Sequence, residues 1–199
     1  MYLMKAPRLD SVTIQQVWAT EEWFGYCKRP NEYRTSSFEE WCGASQDDLP
    51  SEKVMEVLRP YYVERFASWD TNHVHPHSDI IQNVAYWRKA NQIHRWFVNN
   101  VQDGEDDCDY HEECTKGVIE ELLNTCKRVL NSSNPVSEAK RWLPVQEGFF
   151  FGSYEYDECY FDDLRHTVEV LENVLATTDF DNEMLYYVSS WKERGVKND

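Results

Sequence analysis

The sequence lacks the features that mark membrane, secreted and low-complexity proteins. No run approaches the roughly 20 consecutive apolar residues of a membrane-spanning helix, and the first residues contain no apolar signal core. No internal repeat, low-complexity tract or linker rich in glycine and serine occurs in the 199 residues. None of the six cysteines forms a CxxC pair, so we expect free thiols in a reducing compartment.

Motifs of common catalytic and cofactor-binding sites are also missing. The chain contains no GxSxG, P-loop, GxGxxG or HExxH motif and no EF-hand loop. Cys108 stands near His111, but the neighbouring carboxylates would raise the pKa of this thiol rather than lower it. The sequence therefore implies no cofactor, and it favours a binding protein over an enzyme.

Basic residues are few compared with acidic ones. Asp and Glu total 36 against 20 Lys and Arg, which gives a formal net charge of −16. A field of this sign repels phosphates and anionic lipids, so we expect neither direct nucleic-acid binding nor membrane binding. It favours a basic partner, a cation, or a protein with a basic surface whose normal ligand is nucleic acid. The alternative is that the charge serves only solubility.

The pattern of apolar residues predicts an α+β fold. We expect one helix-rich domain over residues 1–199, with three long helices packed on a small sheet that includes the N- and C-terminal strands. The expected strands are 1–5 and 184–191, with 148–152 as a candidate neighbour. The expected helices are 78–101, 112–130 and 157–176, with a short one at 137–143 and another that Ser51 caps.

Two acidic segments, 103–109 and 155–163, are candidates for the partner-binding surface. On one side of the domain they would form a negative face with tyrosines among the carboxylates, able to stand in for a phosphate backbone. The alternatives are a Ca²⁺ or Mg²⁺ site, or carboxylates that favour the positive ends of the following helices. The candidate partner-binding residues are Asp106, Asp107, Asp109, Tyr154, Tyr156, Asp157, Asp162 and Asp163.

A polar stripe in the first expected helix is a candidate pocket wall. Trp87, Asn91 and His94 would share a helical face with Asn83, and Arg88 or Arg95 would reach a phosphate. Such a wall suits a nucleotide-binding protein or a metal-dependent hydrolase. The alternative, which we favour, is a buried polar network that fixes the helix against its neighbours.

Three histidines alternate along one short segment. His73, His75 and His77 would point the same way if that segment were extended, and they are weak candidates for metal ligands. The alternative is a loop that precedes a helix capped by Ser78, with the histidines at the surface or in hydrogen bonds.

Two stretches of the chain are distinctive, YWRKANQIHRWFVNNVQDGEDDC and LPVQEGFFFGSYEYDECYFDDLRHTVEVLENVL, as are two short segments near its ends, MYLM and YYVSSW. These stretches and ends resemble a family of small uncharacterised proteins of bacteriophages and prophages. The resemblance covers residues 80–191 well and divides the domain into a family-like part, 78–191, and a variable aromatic-rich part, 1–75. It implies a phage protein acting in the host cytoplasm.

Three functions remain open at this point. The first is an inhibitor, of anti-CRISPR or anti-restriction type, that binds a host defence nuclease through an acidic face mimicking nucleic acid. The second is a nucleotide-binding sponge or a metal-dependent hydrolase built on the Trp87, Asn91 and His94 face. The third is a structural or housekeeping phage protein. We favour the first because small acidic phage proteins without catalytic motifs often act by binding.

Overall fold

In the computed structural model, the chain divides into two compact units. One unit comprises Met1–Lys5 and Asn83–Asp199, and the other comprises Ala6–Gln82. The prediction of one domain over 1–199 stays a prediction. The described residues are 1–9, 12–13, 16–17, 51, 54, 56–58, 81–106, 112–147 and 153–189.

The sheet has three antiparallel strands, β1 (Tyr2–Pro7), β2 (Gln82–Tyr86) and β3 (Glu183–Val188), in the order β2-β1-β3. Met1, just before β1, and Trp87, just after β2, exchange two hydrogen bonds: the Trp87 amide donates to the Met1 carbonyl at 3.0 Å and the Met1 ammonium to the Trp87 carbonyl at 3.3 Å. The expected α+β fold, with strands near both chain ends, is confirmed.

The prediction of a helix over residues 78–101 is wrong for its first half. Residues 82–86 form β2, whose Tyr86 ring lies 5.0 Å from the Tyr2 ring of β1. Lys89 then adopts a φ of 66°, a left-handed conformation that no α-helix can contain. Pairing with β1 thus overrides the helical spacing of the apolar residues. Residues 148–152, the candidate neighbouring strand, lie outside the described residues.

Among its described residues the first unit also contains four helices: α1 (Asn91–Val101), α2 (Lys116–Leu130), α3 (Pro135–Trp142) and α4 (Glu158–Thr177). None of these helices in the described part of the chain combines the length and the apolar character that a membrane span needs.

Side-chain caps fix where three of these helices begin. The oxygens of Thr115, Asn134 and Asp157 accept hydrogen bonds from backbone N–H groups in the first turns of α2, α3 and α4. The helix expected from Glu112 starts later because Cys114 donates its N–H to the Leu185 carbonyl at 2.8 Å, which keeps this segment extended beside β3. The expected bounds of α4 are confirmed to within a residue.

The core lies where α2 packs against α4 and where α1 covers β3. Leu122 of α2 and Leu164 and Leu171 of α4 are fully buried. On the sheet side, the Phe97 ring of α1 stacks on the Tyr187 ring of β3, with centroids 4.1 Å apart and planes 8° from parallel. Apolar burial on both sides of α1 therefore fixes its position in this unit.

In the second unit, Ser51 caps a helical segment as expected. Its hydroxyl accepts a hydrogen bond from the Val54 N–H at 3.3 Å, and Val54 and Leu58 are buried.

Leu122→Ala tests the α2 and α4 core. We expect the free energy of unfolding to fall by about 2–5 kcal/mol, because the change removes buried methyl groups and leaves a cavity. Val136→Ala on α3, where the side chain is exposed, is the matched control and should change it by less than about 0.5 kcal/mol. Urea denaturation of both variants measures the difference. Equal stability would contradict this account of the core.

Candidate functional site

The start of α4 presents a cluster of exposed carboxylates, which we call the acidic face. It consists of Glu155, Asp157, Glu158 and Asp162, with the 42% exposed ring of Tyr154 beside them. Asp157 also caps α4, accepting a hydrogen bond from the Tyr160 N–H at 3.1 Å. Negative charge at this helix end is favourable because the N-terminus of a helix carries a partial positive charge.

One cation lies among these carboxylates. The Arg165 guanidinium, exposed on the next turn, donates to Glu158 at 2.7 Å and to Asp162. These two hydrogen bonds raise the pKa of Arg165 above its usual range. The arrangement orients two of the four carboxylates and leaves the acidic face negative overall.

Two other residues of the predicted surface face inward. Asp163 is half-buried and accepts a hydrogen bond from the Gln92 amide of α1 at 3.2 Å. Burial raises its pKa, and the bond from Gln92 opposes the rise. Tyr156 is half-buried, and its hydroxyl accepts from the Val145 N–H at 3.3 Å. Both side chains anchor the acidic face to the rest of the unit.

The other predicted acidic segment lies on a different side of α1. Asp106 contacts His94, whereas Asp163 contacts Gln92. Residues two apart on a helix point in nearly opposite directions, since each step turns about 100°. Asp106 and Asp163 therefore do not share one surface across α1. Asp107 and Asp109 lie outside the described residues.

Three of the predicted pocket residues make hydrogen bonds to other parts of the protein. The Trp87 indole N–H donates to the Thr167 hydroxyl at 2.9 Å. The Asn91 amide donates to the Ser153 carbonyl at 3.1 Å and accepts from the Gln146 N–H at 2.9 Å. All three of Trp87, Asn91 and His94 are buried, whereas Arg88 is exposed. This placement matches the polar network that we expected as the alternative to a pocket.

His94 is the buried centre of a chain of polar groups that includes Tyr187 of β3. Its Nδ1 lies 2.7 Å from the Tyr187 hydroxyl, and its Nε2 lies 3.1 Å from Oδ2 of Asp106. The Ser189 hydroxyl donates to the other Asp106 oxygen at 2.8 Å. Since a carboxylate only accepts, we infer that neutral His94 keeps its proton on Nε2 and accepts from Tyr187.

Burial controls the charge of this histidine. Loss of solvent lowers the pKa of His94 below its ordinary value of 6.5, and the contact with Asp106 opposes this effect without cancelling it. The N-terminal ammonium, itself with a pKa lowered by burial, adds a smaller effect in the same direction as burial. The neutral imidazole is therefore the form that the folded protein favours at neutral pH.

Sequence reasoning missed Tyr187 as the partner of His94 and Ser189 as the partner of Asp106. They lie more than 80 residues away along the chain, where no local pattern reports the contact. The only signal was their alternate spacing on a terminal strand, which places both side chains on one face.

No metal centre emerges from the residues that the structure describes, since they contain no group of three suitable ligands. His73, His75 and His77 lie outside those residues. Their role as metal ligands stays a prediction.

Comparison with protein-family models, curated proteins and solved structures gave no match. The resemblance to a phage protein family accordingly stays a prediction, and the case for function depends on the geometry above.

The buried histidine predicts a defined pH dependence. Between its folded-state pKa and 6.5, the unfolded chain binds more protons at this position than the folded chain. The stability due to neutral His94 is thus complete above about pH 6.5 and is lost as the pH falls. Urea denaturation across this range should show the decline, and His94→Gln should reduce its slope. His166→Gln, at an exposed position, should retain it; a slope unchanged by His94→Gln would contradict the assignment.

Thiol labelling provides a second test of burial. Burial raises the pKa of both Cys114 and Cys126 to about 12, whereas Cys159 on α4 is exposed. Maleimide near neutral pH should therefore modify Cys159 and leave the other two intact until urea is added, because the thiolate is the reactive form. Peptide mass mapping identifies each site. Labelling of Cys114 or Cys126 in the folded protein would refute this assignment.

Proposed function

We propose that the protein is a phage-encoded inhibitor that acts in the host cytoplasm and binds a host defence nuclease. Its acidic face occupies the basic channel where the nuclease holds nucleic acid. The observation that supports this most directly is the group of four carboxylates at the start of α4, in a chain of net charge −16. Complementary charge speeds the encounter of such partners and selects against other surfaces.

The spacing of the carboxylates suits a charged groove. Asp162 follows Glu158 by four residues within α4, so these two project on one side of the helix, and Glu155 lies just before it. Glu158 and Asp162 are about 6 Å apart along the helix axis. Tyr154 adds an exposed aromatic ring at the end of the row, and tyrosine is a frequent contributor of interface binding energy.

The face is also held in position before binding. Asn91, Gln92 and Tyr156 tie the segment to α1 and to residues 145–146, as described above. A surface ordered in advance loses less conformational entropy when a partner binds. The Arg165 contacts act in the same way by orienting Glu158 and Asp162.

The nucleotide-binding or hydrolase alternative stays a prediction that the described geometry does not favour. A ligand at Trp87, Asn91 and His94 would have to displace the hydrogen bonds that these buried side chains make to other parts of the protein. Leaving those protein groups unpaired costs about 1–3 kcal/mol each.

Cleavage assays on purified CRISPR effector nucleases and restriction enzymes test the proposal. We expect inhibition of at least one such enzyme, relieved by excess DNA and weakened by salt. The double variant Glu155→Lys and Asp162→Lys should weaken binding at least about tenfold at low salt, since it reverses two charges of the acidic face. Bound nuclease should also protect Cys159, exposed beside Glu158, from maleimide.

A charge-matched variant separates this face from net charge alone. Glu112→Lys and Asp181→Lys change the net charge equally at exposed positions away from the acidic face. This control should retain most of the inhibition, and thermal melting should show that both variants fold. Equal loss in the two variants would reject the acidic face as the binding surface. Inhibition of none of the nucleases would reject the function.

A further inference from the structure

A groove on a different part of the first unit has no role in the function proposed above. Its floor is the solvent side of α2, one wall is the second half of α1, and the other is the end of α3. The volume is about 570 Å³, within the range of roughly 300–1,000 Å³ of small-molecule sites. The lining residues are Trp96, Asn100, Gly117, Glu120, Glu121, Asn124, Thr125, Arg128 and Trp142.

The floor follows from the two-sided pattern of α2. Its apolar residues, such as Ile119 and Leu122, are buried. Gly117, Glu121 and Arg128 recur at helical spacing on the opposite side, together with Glu120, Asn124 and Thr125. Glu120 and Arg128 are about 12 Å apart along the axis, so the groove spans the length of one or two small rings.

Several of the lining groups are fixed by contacts inside the protein. The Asn100 amide donates to the Trp96 carbonyl at 2.7 Å. The Trp142 indole N–H donates to Glu138 at 2.9 Å, and the Arg128 guanidinium lies 4.7 Å from the Trp142 ring centroid. These contacts hold one indole and one guanidinium at the end of the groove.

Other groups have hydrogen-bonding capacity left for a ligand. Within the described part of the chain, no hydrogen bond or ion pair involves the side chain of Glu121 or Asn124. The Thr125 hydroxyl donates to the Glu121 carbonyl, which leaves its lone pairs able to accept. The groove thus presents carboxylate, amide, hydroxyl and guanidinium groups side by side.

We propose that this groove binds a neutral carbohydrate of one or two sugar rings. Neighbouring hydroxyls of a sugar both donate and accept, which matches the acceptors of Glu120 and Glu121, the amides of Asn100 and Asn124, and the donors of Arg128. The apolar face of a sugar ring suits the indole of Trp142, which is 38% exposed and has an apolar body and one polar edge.

The same lining disfavours other classes of ligand. Glu120 pairs with Lys116 at 3.9 Å, whereas the Glu121 carboxylate has no ion-pair partner among the described residues and repels a phosphate group from the floor of the groove. A wholly apolar ligand would remove carboxylates from water without offering them hydrogen bonds, which is costly. Arg128, with Arg141 also 4.8 Å from the Trp142 ring centroid, opposes a lysine or arginine side chain at that end.

Gly117 allows a sharp test because it lies on the floor without a side chain. A Cβ placed there meets only the Thr115 hydroxyl, at 3.9 Å, which is ordinary contact. Gly117→Phe should therefore fold and project its ring into the groove. Gly117→Ala adds a methyl group and leaves the groove open, which makes it the matched control.

Titration with sugars, followed by NMR of the tryptophan indole N–H groups, measures binding. Glucose, galactose and N-acetylglucosamine are each added as monosaccharide and as disaccharide. The highest sugar concentration is about ten times a weak dissociation constant of ~1 mM. At least one sugar should shift the Trp142 signal, which Trp142→Phe assigns. Gly117→Ala should keep the affinity, whereas Gly117→Phe and the double variant Glu121→Ala and Asn124→Ala should reduce it at least about tenfold.

Two comparison ligands identify the class. Adenosine monophosphate and a dilysine peptide, added under the same conditions, should leave the Trp142 signal in place. A shift with either of them and not with the sugars would overturn the proposal, as would the absence of any sugar-dependent shift. Sugar binding that Gly117→Phe leaves unchanged would place the sugar elsewhere and overturn it too. None of these results depends on inhibition of a nuclease.

Discussion

Three polar side chains at the start of α1, Asn91, Gln92 and His94, are removed from solvent, and each needs a hydrogen-bond partner within the protein. Asn91 finds partners in residues 146 and 153, Gln92 in Asp163, and His94 in Tyr187 with Asp106 nearby. One helical turn thereby fixes the loop before α4, the start of α4, and β3. Leaving one of these buried polar groups unpaired would cost a substantial part of the total free energy of unfolding.

Charge at three helix ends in the described part of the first unit follows the helix dipole. The last turns of α2 and α3 contain Lys127, Arg128, Lys140 and Arg141, whereas α4 begins among carboxylates. Both choices agree with the helix dipole, which favours cations at C-termini and anions at N-termini. The acidic face therefore arises partly from a local stabilising rule. What distinguishes it from ordinary capping is its excess, since one carboxylate, Asp157, suffices to cap α4.

Much of the fold could be predicted because its signals are local. Thr115, Asn134 and Asp157 are residue types that cap helices, and they mark the starts of α2, α3 and α4. The boundary between β2 and α1 could not be predicted, because residues 82–86 fit a helical period and become a strand only through pairing with β1.

The candidate sites were predictable to different degrees. The acidic residues of α4 and the inward role of Asn91 and His94 could be inferred from composition and helical spacing. The partners of His94 could not, since Tyr187 comes from a strand 93 residues away. The groove was also beyond local reasoning: the polar side of α2 looks like any solvated helix face until α1 and α3 supply the walls with Trp96 and Trp142.

The acidic face and the groove are joined by one stripe of α1. Gln92, Trp96 and Asn100 are spaced four residues apart, so the side that supports Asp163 through Gln92 continues into the groove wall. On the other side, His94 and Phe97 hold α1 against Tyr187 of β3. Coupling between the two surfaces would need a second stable position of α1, and its packing on both sides specifies one. A helix fixed in this way is a common support for two surfaces that act independently.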